Sequence, residues 1–181
     1  MKLYIPTRNH LAFLLETLGL NGIGIEIGTH QGEYAKKIIS HWSQGTLHLV
    51  DPWTKLNDYH DEINDLDRNE DYAICMENLH EWVEKKRIVI KRGTSQEVVD
   101  DYPDDYFDFI YIDANHDQLH VYQDMTLWYP KLKVRGVFAG HDYVEGCHWI
   151  DVIPAVTRFF SEREIEYSVT LEEFPSWWCI K

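Results

Sequence analysis

Short apolar runs separated by segments of helical periodicity make up most of this 181-residue chain, and this alternation constrains the fold more than any other feature. Seven runs rich in β-branched or aromatic residues predict strands, at residues 22–28, 46–51, 87–93, 106–114, 136–142, 165–173 and 176–181. Strands that alternate with helices favour a mostly parallel sheet covered on both faces. We therefore predict an α/β fold, a doubly wound seven-stranded sheet that ends in an antiparallel pair.

The segments before and between these strands predict six helices, at residues 9–19, 33–42, 71–86, 95–102, 118–132 and 149–163. Residues 54–70 are acidic and have almost no apolar periodicity, so we expect a mobile loop or a weak helix there. Neither an internal repeat nor a low-complexity linker interrupts the pattern, and the length suits one core. Residues 1–181 are therefore expected to form a single domain.

The formal net charge of −14 disfavours nucleic acid and anionic membranes as partners, and favours a small neutral or cationic ligand. Cys75, Cys147 and Cys179 are odd in number and widely separated, which fits neither a disulfide framework nor a metal knuckle. No apolar run approaches the roughly 18 residues of a membrane span, and the first residues lack a signal-peptide core. We expect a cytoplasmic protein with reduced thiols. The sequence does not decide whether the protein forms a homo-oligomer.

Residues that could bind a ligand or take part in catalysis cluster directly after the predicted strands, where ligands of parallel sheets bind. "EIGTHQGEY" follows the first strand, and its Gly28 and Gly32 allow a tight turn and a close backbone approach before a helix N-terminus. Asp51 ends the second strand, one βαβ step after Glu26, where a carboxylate can accept two hydrogen bonds from a ribose diol. An ordinary turn is the alternative at both places.

Three further positions have two interpretations each. Trp53 could pack on a purine or belong to the core. Thr94 or Ser95, after the third strand, could bond an adenine edge, and Ser95 could equally cap a helix.

A nicotinamide site requires G-x-G-x-x-G after the strand, whereas Gly22 and Gly24 precede the strand or lie inside it. The glycine pattern therefore disfavours a nicotinamide oxidoreductase.

Two carboxylates follow the fourth and fifth predicted strands, which we expect to be neighbours in the sheet. Asp113 and Asp142 would repel each other there unless a cation or a proton lay between them. Oxygen ligands suit Mg²⁺ or another hard divalent cation, and the nitrogen of His141 tolerates Mn²⁺, Fe²⁺ or Zn²⁺ as well. We therefore predict a divalent-cation site at Asp113, His141 and Asp142.

Simpler interpretations of the same stretch exist. Asp113 and Asn115 could cap the helix near residue 118, with His116 as a surface turn residue. His116 and His120 have the spacing of two zinc ligands on a helix, but the glutamate of H-E-x-x-H is missing, which disfavours a zinc hydrolase. His120 then belongs to a helix surface, and His141 could be a core histidine bonded to backbone.

Taken together, E-x-G-x-x-x-G after the first strand, an acid after the second and G-T-S after the third resemble class I S-adenosylmethionine-dependent methyltransferases over nearly the whole chain. The resemblance implies a Rossmann-like sheet whose seventh strand is antiparallel. It implies that Gly28 and Gly32 flank the methionine portion of the cofactor and that Asp51 holds the ribose. Its wider set of implied cofactor-binding positions is Glu26, His30, Tyr34, Trp53, Thr94, Ser95 and Asp113.

Residues 111–143 resemble metal-dependent O-methyltransferases that act on sugars, macrolide glycosides and related natural products, and more distantly catechol O-methyltransferase. In that group an aspartate after strand four and an acidic pair after strand five hold the metal. Asp113 and Asp142 match, whereas His141 replaces the first acid of the pair. Some members use an aspartate as base where this chain has Asn115, and others use a histidine that His116 matches.

We therefore expect an S-adenosylmethionine-dependent methyltransferase that methylates a hydroxyl of a small acceptor such as a sugar. Asp113 and His116 are the expected catalytic residues, His116 as the base, with Mg²⁺ or another divalent cation assisting. A non-catalytic module that binds the cofactor is the first alternative, and a nicotinamide oxidoreductase is the second. Residues 54–70 are either a solvated surface or a lid over the acceptor.

Overall fold

The computed structural model describes residues 4–56 and 68–181. In this part of the chain the strands are β1 (Ile23–Ile27), β2 (Thr46–Asp51), β3 (Ile88–Arg92), β4 (Phe107–Ile112), β5 (Leu132–Gly140), β6 (Ser168–Val169) and β7 (Trp177–Ile180). The α-helices are α1 (Leu11–Thr17), α2 (Glu33–His41), α3 (Arg68–Glu84), α4 (Ser95–Val98), α5 (Gln118–Trp128) and α6 (Val152–Glu162).

The strands form one sheet in the order β3-β2-β1-β4-β5-β7-β6. β1 pairs in parallel with β2 on one side and with β4 on the other. The strand order reverses at this point, which opens a crevice beyond the carboxyl ends. β7 lies antiparallel between β5 and β6. The predicted Rossmann-like α/β fold, mostly parallel with an antiparallel closing pair, is confirmed.

The sheet separates two apolar cores, and the central strand β4 contributes to both. All six of its residues are buried, as expected for a strand covered on both faces. Ile110 and Ile112 face the core beneath α5 and α6, whereas Phe109 and Tyr111 face the core beneath α1 and α2. This period of two assigns successive residues of β4 to opposite faces of the sheet.

Several element boundaries differ from the predicted ones. The helix predicted for 118–132 ends at Trp128, because Pro130 lies in a short 3-10 turn and cannot continue the helical hydrogen bonds. β5 consequently begins at Leu132 and not at residue 136. The strand predicted for 165–173 shrinks to the two residues of β6. Pro154 lies in the first turn of α6, where the missing N–H leaves no hydrogen bond unmade.

The acidic segment at residues 54–70 is only partly described. α3 begins at Arg68, inside that segment and three residues before the predicted helix start. Residues 57–67 lie outside the described residues, and the expected loop and lid fall largely within them. Among the described helices, none combines the length and apolar character needed to cross a membrane.

Candidate active site

A cavity of about 350 Å³ lies beyond the carboxyl ends of β1 to β4. Its wall consists of the strand ends and the turns that follow them, so residues far apart in the sequence meet there. Of the predicted site residues, five line the cavity: Gly28, Asp51, Thr94, Ser95 and Asp113. The size is within the range of pockets that hold a small molecule or cofactor.

The turn after β1 approaches the turn after β4 very closely. Gly28 has φ +88°, and a Cβ there would lie 2.0 Å from the backbone oxygen of Asp113. Gly32 has φ +75° and precedes α2, where a Cβ would meet Leu79 of α3 at 2.8 Å. Both positions therefore require glycine. Gly28 lines the cavity, whereas Gly32 serves the packing of α2 against α3.

Asp51 is buried, and the protein holds both of its carboxylate oxygens. Oδ1 accepts hydrogen bonds from the Trp53 backbone N–H at 2.8 Å and from Arg68 Nη2 at 3.1 Å. Oδ2 accepts one from the His30 backbone N–H at 2.9 Å. Since a carboxylate oxygen accepts about two hydrogen bonds, Oδ2 keeps one position for a ligand hydroxyl.

The remaining residues predicted around the first two strands lie behind the cavity wall. Trp53 is 1% exposed, and its Nε1 donates to the backbone oxygen of His30, which matches the core interpretation and not purine packing. His30 Nε2 lies 3.1 Å from Asp71 Oδ1. Glu26 is 1% exposed; burial, with a smaller contribution from the charge of Asp113, raises its pKa well above the usual value. These side chains support the turn from below.

Thr94 and Ser95 line the cavity, but their hydroxyls are engaged locally. Thr94 Oγ1 caps α4 through the Glu97 backbone N–H, and the Glu97 side chain bonds the Thr94 backbone N–H in return. Ser95 Oγ accepts a hydrogen bond from Trp128 Nε1 at 2.8 Å and donates one to Asp124 Oδ1. The helix cap is thus Thr94 and not Ser95.

The four residues predicted for catalysis or cation binding lie in one group beside the cavity: Asp113, His116, His141 and Asp142. Ligand atoms of Asp113, His141 and Asp142 all lie within 4.8 Å of one another. His141 Nδ1 lies 3.1 Å from Asp142 Oδ1 and 3.7 Å from Asp113 Oδ1. His116 Nε2 lies 3.0 Å from Asp142 Oδ2 and 3.8 Å from Asp113 Oδ1. Two imidazoles and two carboxylates therefore face a common space.

Asp142 is the centre of this group. Burial alone would raise its pKa, but hydrogen bonds from His116 and His141 lower the pKa below its usual range. Its backbone has φ +55°, a left-handed conformation that aspartate and asparagine tolerate better than most residues. The carboxylate is therefore held ionised in the orientation that faces both histidines.

The interpretation of Asp113 as the cap of α5 does not match the contacts. The cap of α5 is Asp117, whose Oδ1 accepts from the backbone N–H groups of Leu119 and His120 at 2.9 and 3.0 Å. Asn115 Oδ1 accepts from the Asp117 backbone N–H at 3.1 Å. His120 Nδ1 lies 2.5 Å from Asp117 Oδ2, so His120 and His116 have different carboxylate partners. Asp113 therefore does not cap α5, and it lies in the group with His116, His141 and Asp142.

Two arginines of the site were not predicted. Arg8 Nη1 lies 3.2 Å from Asp113 Oδ2, and its guanidinium stacks over the Tyr34 ring at 4.6 Å. Arg68 bonds Asp51 at 3.1 Å and Asp71 at 2.7 Å. Arg8 is 105 positions from its partner and has no motif around it. For Arg68, the sequence signal that could have indicated a role is its position as a cation within a strongly acidic run.

The sheet order, the reversal between β1 and β4 and the cavity at that reversal agree with the fold of the class I S-adenosylmethionine-dependent methyltransferases that the sequence resembles. The chain belongs to the family described as a methyltransferase domain, whose sequence model matches residues 25–143. The matched stretch runs from β1 to the residue after Asp142. The predicted enzyme class, a methyltransferase, is thereby confirmed.

Solved structures share this fold at low sequence identity. An O-methyltransferase from Bacillus cereus in complex with SAH (S-adenosylhomocysteine) is 17% identical, with a TM-score of 0.65 over 96% of this chain and 80% of the other. TomG from Streptomyces achromogenes, an O-methyltransferase of tomaymycin synthesis in complex with SAM, is 12% identical, with 0.66 over 96% and 78%. A precorrin-6y C5,15-methyltransferase from Geobacter metallireducens is 14% identical, with 0.62 over 98% and 89%. No curated protein sequence matches the chain.

Proposed function

We propose that this protein is an O-methyltransferase that uses S-adenosylmethionine to methylate a small hydroxylated acceptor, assisted by a divalent cation. The observation that carries the proposal is the group formed by Asp113, His141 and Asp142, with ligand atoms within 4.8 Å, at the edge of the cavity. The two O-methyltransferase structures named above, bound to SAH and to SAM, support the transfer to oxygen.

The cavity wall fits the nucleoside end of the cofactor. Asp51 Oδ2 keeps one acceptor position for a ribose hydroxyl, and Gly28 brings bare backbone to the cavity surface. Glu26 is buried behind this turn, and no described residue donates a hydrogen bond to its Oε2. We assign the cofactor to Gly28, Asp51, Thr94, Ser95 and Asp113, with Glu26, His30, Gly32 and Trp53 as supports.

The group at Asp113 fits a divalent cation. Two carboxylates and one imidazole nitrogen offer a mixed oxygen and nitrogen ligand set, which suits Mn²⁺ or Mg²⁺ and tolerates Fe²⁺ or Zn²⁺. Of the two carboxylate oxygens of Asp113, Oδ2 contacts Arg8 and Oδ1 faces His141. A bound cation supplies positive charge that favours loss of the acceptor proton.

His116 is placed to take that proton. In the Nδ1–H tautomer, which donates no hydrogen bond to Asp142, Nε2 can accept a proton, and an acceptor hydroxyl held beside Asp113 and Asp142 lies within its reach. The two carboxylates stabilise the imidazolium that results. The side chain is 14% exposed, which limits competition from bulk water. We assign His116 as the base and Asp113 as a residue that orients the acceptor.

Calorimetry with S-adenosylhomocysteine tests the cofactor assignment. The wild type is expected to bind it, and Asp51→Asn to weaken the affinity by at least about tenfold, because a neutral amide replaces the buried acceptor. Asp100→Asn, an exposed aspartate after α4, is the matched control and should bind as the wild type does. Absence of binding by the wild type at millimolar ligand would contradict the proposal.

Titration with Mn²⁺, followed by its electron paramagnetic resonance signal, tests the cation site. The wild type should bind one ion, and Asp142→Asn should lose at least about tenfold in affinity because it removes a ligand charge. Asparagine tolerates the left-handed backbone of Asp142, so the variant should fold. Equal Mn²⁺ binding by Asp142→Asn and by the control Asp100→Asn would exclude this group as the site.

A further inference from the structure

A guanidinium beside the cation group has no part in the function proposed so far. Arg8 lies in the short 3-10 turn before α1, and its Nη1 is 3.2 Å from Asp113 Oδ2. The other oxygen of the same carboxylate, Oδ1, faces His141. Arg8 and the cation group therefore share one carboxylate, and the Arg8 side chain is partly exposed beside it.

Contacts at the backbone and at the side chain hold Arg8 in this place. Its backbone N–H donates to Glu172 Oε1 at 2.6 Å, and its backbone oxygen accepts from the Tyr34 hydroxyl at 2.9 Å. The guanidinium stacks over the Tyr34 ring at 4.6 Å and hydrogen-bonds the Tyr111 hydroxyl. Its positive charge is therefore held at a fixed distance from Asp113.

The charge of Arg8 is permanent, and neighbouring carboxyl groups do not cancel it. Burial would lower the pKa of Arg8, but its interactions with Tyr111 and Asp113 outweigh burial and raise the pKa above its usual value. Burial first, and the charge of Asp113 second, raise the pKa of nearby Glu26, which favours the neutral form of that side chain. Glu172 bonds the backbone of Arg8 and not its guanidinium.

With a divalent cation bound, the charges of this group leave one positive charge over. The carboxylates of Asp113 and Asp142 balance the cation, and His141 binds a cation as a neutral imidazole. Arg8 supplies the remaining charge. The acceptor enters as a neutral hydroxyl and becomes negative as its proton passes to His116, so its developing charge is opposite in sign to this excess.

We propose that Arg8 is a second electrostatic element of the acceptor site, which stabilises the oxyanion of the acceptor and weakens the binding of the cation. This inference rests on the proposed function, because it takes a cation and a hydroxylated acceptor as occupants of the site. The acceptor proton goes to His116 Nε2, an O–CH₃ bond forms as the S–CH₃ bond of S-adenosylmethionine breaks, and S-adenosylhomocysteine leaves. Arg8 exchanges no proton and acts through its charge.

The first readout is the affinity for Mn²⁺ without acceptor, followed by electron paramagnetic resonance. Arg8→Met should bind Mn²⁺ about tenfold more tightly than the wild type, because it removes a repelling charge beside Asp113. Arg8→Lys keeps the charge and should stay within about threefold of the wild type. If Arg8 only oriented Asp113 as a ligand, Arg8→Met would instead bind Mn²⁺ more weakly, and that result overturns the proposal.

The second readout is turnover at saturating Mn²⁺, with the acceptor that the wild type methylates best in a panel of phenols, catechols and sugars. Arg8→Met should lose about tenfold in turnover number, because one of the charges that stabilise the oxyanion is gone. Arg8→Lys should recover most of this loss. Tighter Mn²⁺ binding together with slower turnover supports the proposal, whereas an unchanged value in either readout overturns it.

Arg158→Met is the matched control, since Arg158 also pairs with a carboxylate, Glu162, and also stacks over a tyrosine, Tyr122. It should equal the wild type in both readouts. The affinity of Arg8→Met for S-adenosylhomocysteine, measured by calorimetry, should stay within about twofold of the wild type. A loss of about tenfold there, with Mn²⁺ affinity unchanged, would assign Arg8 to the cofactor and overturn the proposal.

Two further outcomes are distinguishable from these. Should Arg8→Met fail to fold, Arg8→Gln removes the same charge and must show the same opposite shifts in Mn²⁺ affinity and turnover. A wild type that binds no Mn²⁺, or that methylates no member of the panel, overturns the proposed function itself.

Discussion

Two buried aspartates on opposite sides of the site have opposite pKa shifts. Burial would raise the pKa of both, but hydrogen bonds from two histidines hold the pKa of Asp142 below its usual range. Asp124 has only neutral hydrogen-bond donors, and burial raises its pKa to about 7. The partners at hydrogen-bond distance therefore decide the direction in which each pKa moves.

The raised pKa of Asp124 predicts a pH-dependent effect on stability. The native state holds a proton on this group from about pH 4 to 7 while the unfolded chain does not, so its contribution falls as the pH rises through that window. Asp124→Asn removes this loss. Relative to the wild type, its free energy of unfolding in urea should rise by about 2–3 kcal/mol between pH 5 and 8. A constant difference between the two proteins would contradict the shift.

His116 can be tested apart from cofactor binding. His116→Gln should lower the turnover number by about 10²- to 10⁴-fold, because a carboxamide cannot accept the proton. Its affinity for S-adenosylhomocysteine should stay within about twofold of the wild type, since His116 does not line the cavity. Turnover is measured with a hydroxylated acceptor that the wild type methylates. Retained turnover would remove His116 from the base role.

The sequence predicts which residues lie close together where strand ends place them. Asp51, Asp113 and Asp142 follow apolar runs, and parallel pairing brings the ends of such runs together. Side-chain hydrogen bonds are harder to predict, because they depend on contacts between helices. The engagement of Ser95 by Trp128, 33 positions away, is one example, and the pairing of Arg8 with Asp113 is another.

At the scale of elements, the turn after β1 and the turn after β4 act as one unit. The Asp113 backbone N–H donates to the Ile27 oxygen at 2.8 Å, and the His141 N–H donates to the Ile112 oxygen at 3.0 Å. The ends of β1, β4 and β5 are therefore held in register. This register places Asp113 between the cofactor cavity and the cation group.

Gly28→Ala should disrupt this unit. A Cβ at position 28 would lie 2.0 Å from the Asp113 backbone oxygen, in addition to the strain of φ +88°. We expect a loss of about 2–4 kcal/mol in stability and at least about tenfold in S-adenosylhomocysteine affinity. Gly19→Ala is the control: φ is +68°, but nothing lies within 4 Å, so it should cost about 1 kcal/mol and leave affinity unchanged. Similar behaviour of the two variants would contradict the coupling.

Periodicity predicts the type and order of elements but not every boundary. The apolar pattern continues from α5 through residue 132, and Pro130 alone ends the helix and starts β5 early. β6 comprises only Ser168 and Val169, which pair with β7 at the edge of the sheet. Such limits come from tertiary contacts and not from local preference.

At the scale of the whole molecule, we propose that the described residues form a single domain. One seven-stranded sheet carries both apolar cores, and β4 belongs to each of them. Unfolding by urea should therefore be one cooperative transition, with coincident midpoints by tryptophan fluorescence and far-ultraviolet circular dichroism. Two separate transitions would show that the cores unfold independently.

The central claim is that the cofactor cavity and the cation group lie side by side at the carboxyl ends of the strands. The most direct measurement is a crystal structure soaked with S-adenosylhomocysteine and Mn²⁺. We predict a ribose against Asp51 and an anomalous Mn²⁺ peak among Asp113, His141 and Asp142. A ligand bound elsewhere, or a fully occupied cofactor without a Mn²⁺ peak in that group, would contradict the account.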